Sequence, residues 1–305
     1  MDRFENMRHF ARVVETGSIS AAAESLGVTK SAVSRRLKEL ESHLSAELFH
    51  RTTRRLNLTH TGGAFYHHCV RILDDLMEAE QSASQAHQTL KGTLRLALPL
   101  SFGIMHMSPA IEDFLTLHPQ IEFDLDFNDR QVDLIEEGFD LAIRIAQLPD
   151  SSLIARRIAH ISSVLCASPG YLAERGTPLR PKELTKHQCL TYSLLQAPDQ
   201  WQFTDSAASQ HKVKVNSSIK ASNGEFLRQA AVQGRGIIYI PTFIAHEQIE
   251  QGSLVRLLDE YQLVEMNAYA IYPQTRHLST RVRSFIDFLV DRFKGTPYWD
   301  TCLDS

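Results

Sequence analysis

Gly17-Ser18-Ile19-Ser20-Ala21-Ala22-Ala23-Glu24-Ser25-Leu26-Gly27-Val28-Thr29-Lys30-Ser31-Ala32-Val33-Ser34-Arg35-Arg36-Leu37-Lys38-Glu39-Leu40-Glu41 is the stretch on which the fold turns. Gly17 ends whatever precedes it, and Ser18 is a good N-cap for a short helix from Ile19 to Leu26. The small side chains of Ala21, Ala22 and Ala23 let another helix approach closely. Gly27 breaks the chain, and Thr29 can cap a third helix running to about Leu44. In that helix Val33, Leu37, Leu40 and Leu44 are spaced four, three and four apart, which predicts one buried stripe. The opposite face carries Lys30, Ser31, Ser34, Arg35 and Lys38. A short capped helix, a glycine turn and a second helix with a polar, basic leading face make a helix-turn-helix. Its second helix enters the major groove N-terminus first. The groove requires short donors close to base edges and longer cations that reach guanine or phosphate, and Ser31, Ser34 and Arg35 supply both.

Upstream, Phe4, Met7, Phe10 and Val14 recur at helical spacing, so Arg3 to Glu15 reads as an amphipathic helix. Downstream, Leu48-Phe49-His50-Arg51-Thr52-Thr53-Arg54-Arg55-Leu56-Asn57-Leu58-Thr59 gathers arginines and threonines around a turn, with Leu56 and Leu58 alternating like a strand. It reads as a wing, with Arg51 and Arg54 in reach of phosphate or the minor groove. The net charge of −4 hides an asymmetry. Residues 1–60 hold ten Lys/Arg against seven Asp/Glu, and the remainder holds 22 against 29. Basic clusters on helices are more often solvated faces than phosphate contacts. The helix-turn-helix pattern favours the second reading.

These residues resemble a known family. Phe10-Ala11-x-Val13-Val14-Glu15-Thr16-Gly17-Ser18, Ala21-Ala22-Ala23-x-x-Leu26, Ser31-Ala32-Val33-Ser34-Arg35-x-Leu37-x-x-Leu40-Glu41 and Leu48-Phe49-x-Arg51-Thr52-x-Arg54 look like the LysR-type transcriptional regulators. The match is dense and in order over about sixty residues. Lys30-Ser31 departs from it, because many members carry Gln-Pro there. The resemblance places base-edge contacts on Lys30, Ser31, Ser34 and Arg35 and a wing contact on Arg54. It also implies double-stranded promoter DNA, a small organic effector, further copies of the chain and RNA polymerase as partners.

From Thr61 to about Lys91 there is no proline. Phe65, Cys69, Ile72, Leu76, Ala79, Ala83, Ala86 and Leu90 fall at alternating spacings of four and three, a heptad seam over nearly four heptads. Such a helix would be about 45 Å long at 1.5 Å per residue. It either packs on its own domain or pairs with a second copy. Heptad regularity and the need of helix-turn-helix proteins for two half-sites favour dimerisation through Phe65, Cys69, Ile72, Leu76, Ala79 and Ala83. His67-His68 cannot converge on one metal ion, because adjacent helical residues point apart; both read as surface residues. No metal or cofactor site is expected.

From Gly92 onward the pattern becomes α/β. Strands are expected over Thr93–Pro99, Ile121–Phe127, Phe139–Ile145, Ile158–Ser168, Trp201–Phe203, Val213–Val215, Ile237–Ile240 and Ala268–Tyr272. Helices are expected over Ser101–Leu117, Val132–Glu137, Gly170–Arg175, Pro181–Thr185, Gly224–Gln233 and Ser279–Phe293. Alternation of this kind implies parallel strands. A chain that leaves a first lobe and later returns to it implies two lobes joined by two crossings. The boundaries read as 1–60 for the winged helix-turn-helix, 61–91 for a linker helix and 92–305 for the two-lobed module. Lobe I takes about 92–162 and 266–293, lobe II about 163–265, and 293–305 reads as a tail. Leu96-Ala97-Leu98-Pro99-x-x-Phe102-Gly103, Phe139-Asp140-Leu141-Ala142-Ile143-Arg144-Ile145 and Leu148-Pro149-Asp150-Ser151-Ser152-Leu153 extend the resemblance to the CrgA-like subgroup. It implies a type 2 periplasmic-binding-protein-like module with an interlobe cleft.

Ligands of such lobes collect beyond the carboxyl ends of strands. That rule selects Ser101, Phe102, Arg144, Ser222, Asn223 and Pro241, with Trp201 as an aromatic wall. Each has a structural alternative: Ser101, Ser222 and Asn223 as helix caps, Arg144 as an ion-pair partner, Trp201 as core. The four scattered cysteines read as small buried hydrophobes. The chain shows no signal peptide, no apolar run long enough for a membrane span, no GxGxxG, no Walker lysine loop, no GxSxG and no HExxH. A cytoplasmic, non-enzymatic DNA-binding regulator is therefore the expectation. Its rivals are a ligand-independent repressor and, further off, a solute-binding or enzymatic α/β protein.

Overall fold

Helix α1 (Arg3–Thr16) begins at Asp2, whose carboxylate accepts from the Glu5 N–H, and ends at Gly17 with φ 64°. Helix α2 (Ile19–Leu26) starts on the Ser18 hydroxyl and stops at Gly27. Helix α3 (Lys30–Leu44) starts on Thr29. Gly17, Ser18, Gly27 and Thr29 are the capping and breaking residues visible in the sequence. A computed structural model describes residues 2–51, 56–83, 90–146, 154–273 and 278–303.

The predicted stripe is buried: Val33, Leu37 and Leu40 pack with Phe10, Val13, Ala22 and Ala23, and Leu44 is half-buried beside them. Strands β1 (Phe49–Arg51) and β2 (Leu56–Leu58) pair antiparallel as the wing. Helix α4 (His60–Ala83) follows. It was expected to reach Lys91. Instead Lys91 opens strand β3 (Lys91–Leu98), and Leu90 is buried in the core of the second domain. Pairing of Lys91 with Gln120 on the neighbouring strand takes those residues out of the helix.

Lobe I continues with α5 (Leu100–Phe102), a wide π turn (Gly103–Met107) and α6 (Ser108–Leu117). Pro109 lacks an N–H, which interrupts the α-helical bonding pattern. The Ser108 N–H reaches back five residues to the Gly103 carbonyl instead. Strands β4 (Gln120–Phe127), β5 (Leu141–Ala146) and β6 (Ile154–Ile161) complete the forward pass. The expected helix over Val132–Glu137 is a turn. The Asp133 carboxylate takes the Ile135 and Glu136 N–H groups at 2.9 and 3.0 Å, competing with helical bonding.

Lobe II contains β7 (Ser163–Ala167), α7 (Pro169–Arg175), β8 (Gln188–Tyr192), β9 (Gln200–Thr204), β10 (Gln210–Lys214), β11 (Asn216–Ala221), α8 (Gly224–Val232), β12 (Ile237–Pro241), α9 (Thr242–Glu250), β13 (Val255–Arg256) and β14 (Gln262–Leu263). The chain then returns through β15 (Met266–Tyr272) and α10 (Thr280–Arg292) to lobe I. Strands β8, β11, β13 and β14 and helix α9 are additions to the sequence reading. The single strand expected over Ile158–Ser168 is two strands in two sheets, parted at Ser162.

The sheet of lobe I has the order β4-β3-β5-β15-β6, and that of lobe II β11-β8-β12-β7-β13. Both are mixed rather than parallel. The returning β15 runs antiparallel to β5 and β6, and β7 runs antiparallel to β12. A small third sheet, β10-β9-β14, covers one side of lobe II. One hydrophobic core runs through both lobes, from Leu94 and Leu96 to Ile238 and Phe243.

Candidate DNA-binding face and interlobe cleft

The leading face of α3 is positioned by bonds spent elsewhere. Arg36 donates to the Asn6 side-chain Oδ1 at 3.0 Å, tying α3 to α1. The Glu41 carboxylate accepts from Leu48 N–H at 2.9 Å and fixes the wing against the far end of the helix. Lys30, Ser31, Arg35 and Lys38 are exposed and Ser34 is half-buried. Arg35 meets Glu39 only loosely, at 3.8 Å, with its side chain 71 % exposed, so the guanidinium is available to DNA. Arg51 ends β1, and Arg54 lies outside the described residues.

The wing and the linker helix join at Gly62. Thr59 Oγ1 accepts the Gly62 N–H at 2.8 Å and donates to the Glu47 carbonyl at 2.8 Å. A methyl group at Gly62 would sit 2.1 Å from the Leu48 carbonyl oxygen, so only glycine permits this approach.

The seam of α4 divides in two. Phe65 and Cys69, expected at a dimer contact, pack into the helix-turn-helix core, with Cys69 fully buried and the Phe65 ring 5.6 Å from Phe10. Apolar burial against their own domain takes them out of the seam. Further along, Ile72 is exposed and Leu76 half-buried, with Met77 exposed beside them. Ala79 and Ala83 lie on α4, their side chains outside the described set. His67 is not a free surface residue: its Nδ1 accepts from Arg95 of lobe I. Burial and the neighbouring guanidinium both hold its pKa below the ordinary value.

The cleft residues separate as sharply. Phe102 is fully buried among Phe243, Phe293 and Trp299, and Trp201 packs against Tyr239 in the second core of lobe II. Neither offers a surface to a ligand, and both expectations are corrected to core. Ser101 is buried too. Asn223 caps α8 by accepting the Phe226 N–H at 2.8 Å, while Ser222 is exposed and Pro241 half-buried. Arg144 donates to the carbonyls of Arg130, at 2.6 Å, and Asn128.

Two residues missed by the sequence reading meet at this place. Asp129, just past β4, accepts the Leu100 N–H at 3.1 Å and so occupies the start of α5 with the chain's own carboxylate. Its charge also lies close to the Tyr192 phenol at the end of β8, so that lobe I faces lobe II here. Burial, then the Asp129 charge, push the Tyr192 phenol upward. The strand-end rule reaches both positions once β4 and β8 are known; β8 was not read as a strand.

All four cysteines are free and buried. Burial pushes the thiols of Cys69, Cys166 and Cys189 up to about 12. Among the described residues no helix is long and apolar enough to cross a membrane, and no His/Cys/Asp/Glu cluster has metal-binding geometry.

Residues 4–63 match the family model of the bacterial regulatory helix-turn-helix protein, lysR family, and residues 87–294 match the LysR substrate binding domain. The chain belongs to the LysR family of transcriptional regulators. It is 34 % identical over 288 residues to the HTH-type transcriptional regulator CrgA of Neisseria meningitidis serogroup C, covering 94 % of this chain and 96 % of that one. An uncharacterized HTH-type transcriptional regulator of Haemophilus influenzae is 35 % identical over 283 residues, covering 92 % and 98 %. The solved structure of CrgA from Neisseria meningitidis superposes with a TM-score of 0.61 at 33 % identity, covering 95 % and 99 %. The full-length Vibrio cholerae virulence activator AphB superposes with a TM-score of 0.59 at 29 % identity, covering 95 % and 99 %. In this LysR-family regulator a DNA-binding helix-turn-helix precedes a two-lobed effector-binding domain. Its relatives carry the names of transcriptional regulators rather than of enzymes.

Proposed function

We propose that this LysR-family protein works in the cytoplasm as a dimer or a dimer of dimers. Two α3 helices would read paired half-sites, and a small organic effector between the lobes would alter their spacing. RNA polymerase completes the set of partners in this reading. The observation that carries it is the exposed leading face of α3, with Lys30, Ser31, Arg35 and Lys38 held outward by the Asn6–Arg36 and Glu41–Leu48 bonds. Paired half-sites on DNA require two such helices at a fixed distance.

Arg35→Ala is expected to leave the fold intact and to weaken operator discrimination by about 1–3 kcal/mol, the worth of one good base contact. A mobility-shift titration with the DNA upstream of the gene measures it. Unchanged affinity for that DNA would refute the assigned face.

The dimer contact is proposed on the outer half of α4, where Ile72 and Met77 are exposed and Leu76 is half-buried. Leu76→Glu places a charge in that seam, which apolar surroundings tolerate poorly. Analytical ultracentrifugation should show a smaller species. Sedimentation like that of the wild type would make α4 an intramolecular element only.

For the effector, Arg144, Ser222, Asn223 and Pro241 remain as polar or accessible candidates, joined by Asp129 and Tyr192. A ligand acts only if it prefers one lobe arrangement over another. In this reading an effector would act where Asp129 of lobe I faces Tyr192 of lobe II.

A further inference from the structure

Residues 293–305 read as a tail, yet the turn Tyr298–Leu303 seats three of its side chains in the interior. Trp299 is fully buried, and Asp300 and Cys302 are 5 % and 1 % exposed. The Trp299 ring lies 4.5 Å from His106 and 5.7 Å from Phe102, both of lobe I, and 6.4 Å from Phe243 of lobe II. The Tyr298 hydroxyl bonds His106 Nδ1, and His106 Nε2 donates to the Phe243 carbonyl at 3.1 Å. On the other side Arg256 of lobe II donates to the Cys302 and Leu303 carbonyls, each at 2.9 Å. The turn therefore grips both lobes.

Its one buried carboxylate sits on the joint between them. Asp300 accepts from the Ser162 hydroxyl at 2.8 Å and from the Thr242 hydroxyl. Ser162 is the residue at which the chain passes from β6 in lobe I to β7 in lobe II. Thr242, at the start of α9, gives its N–H to the Ser162 carbonyl at 3.0 Å, and its hydroxyl oxygen lies 3.1 Å from the same carbonyl. Rotation of one lobe against the other must change backbone angles near this crossing, and each Asp300 bond opposes that change. A buried carboxylate that accepts two short bonds is expensive to leave unpaired, so the bonds act together.

We propose that Tyr298–Leu303 is a clasp that sets the opening angle of the two lobes, with Trp299 as its wedge and Asp300 as its catch. The clasp acts through the Ser162 joint and needs no effector; it stands whether or not the cleft binds one. It is separate from the place where Asp129 faces Tyr192.

The test measures lobe geometry directly on the full chain. Spin labels are placed on Glu112→Cys in lobe I and Lys182→Cys in lobe II, both exposed sites, and the interlabel distance distribution is recorded. A single narrow distribution is expected in the otherwise native chain. Asp300→Ala and a chain ending at Thr296 should broaden or shift it. The same distribution in folded Asp300→Ala would overturn the proposal. Asp300→Asn, which keeps the volume, guards against loss of folding. In it the Thr242 amide should exchange at least tenfold faster, while the Ile238 amide in the middle of lobe II keeps its rate. Equal acceleration of both amides would mean general destabilisation and would equally overturn the clasp.

Discussion

Gly62→Ala disrupts the joint between wing and linker helix, whereas Gly63→Ala, one residue on, strengthens it. At Gly62 the added methyl would lie 2.1 Å from the Leu48 carbonyl oxygen, 3.0 Å from the Leu48 carbonyl carbon and 3.0 Å from a Leu58 methyl. Two of these neighbours are backbone and cannot swing away. The strand β1 must shift, and the Thr59–Leu48 and Glu41–Leu48 bonds shift with it. Overpacking of this kind costs about 1–3 kcal/mol, with rigid neighbours at the upper end. At Gly63 nothing lies within 4 Å of the added methyl. There alanine gains up to about 1 kcal/mol from helix propensity and a less flexible unfolded chain. Thermal unfolding should lower the melting temperature of Gly62→Ala and raise that of Gly63→Ala. Operator affinity should fall only in Gly62→Ala, because the wing moves relative to α3. Equal effects at the two positions would contradict the described approach of α4 to Leu48.

Asp74→Ala is expected to loosen the linker helix from its own effector-binding domain. Arg281 on α10 donates to Asp74 on α4 at 3.0 Å, with side chains 8 % and 21 % exposed. The guanidinium also faces Asp140, itself half-buried and bonded to the Arg95 N–H at 2.9 Å. A second contact lies about two turns earlier. His67 accepts from Arg95, and a methyl at Gly138 would fall 2.5 Å from His67 Cβ, so the helix lies directly on the lobe. Removing one partner of a buried pair costs about 3–5 kcal/mol when the remaining charge is uncompensated. Asp140 still faces Arg281, so a value of about 3 kcal/mol is expected. Hydrogen exchange should accelerate along Cys69–Leu76 of α4 and stay unchanged in β3 and β5. Arg281→Met should destabilise more, since it leaves Asp74 and Asp140 without their shared cation. Unchanged exchange in α4 for both variants would mean that the pair does not hold the helix.

The helix-turn-helix was legible in full because its signals are local. Ser18, Thr29, Gly17 and Gly27 act on backbone groups within four residues of themselves, and the Val33–Leu40 stripe is a property of one helix. Most elements of the two lobes were legible for the same reason. Three features were not. A heptad count alone does not show whose core a helix covers: Phe65 and Cys69 serve the first domain, and Leu90 the second. Strand-end position alone does not separate a ligand contact from core, which is why Phe102 and Trp201 were misassigned and Asp129 and Tyr192 missed. Short segments such as β8 and Tyr298–Leu303 carry too little periodicity to announce themselves. Their order comes from partners 28 to 192 residues away: Ser217 and Ile237 for β8, and His106, Ser162 and Thr242 for the turn. The sequence by itself determined the capped helices, the basic reading face and the alternation of strands and helices, since each depends on spacing within one element. Only the tertiary structure decided which domain the linker helix covers, which polar groups bridge the lobes and how Asp300 holds their joint. Those outcomes depend on burial and on hydrogen bonds between residues far apart in the chain, where no local pattern distinguishes one partner from another.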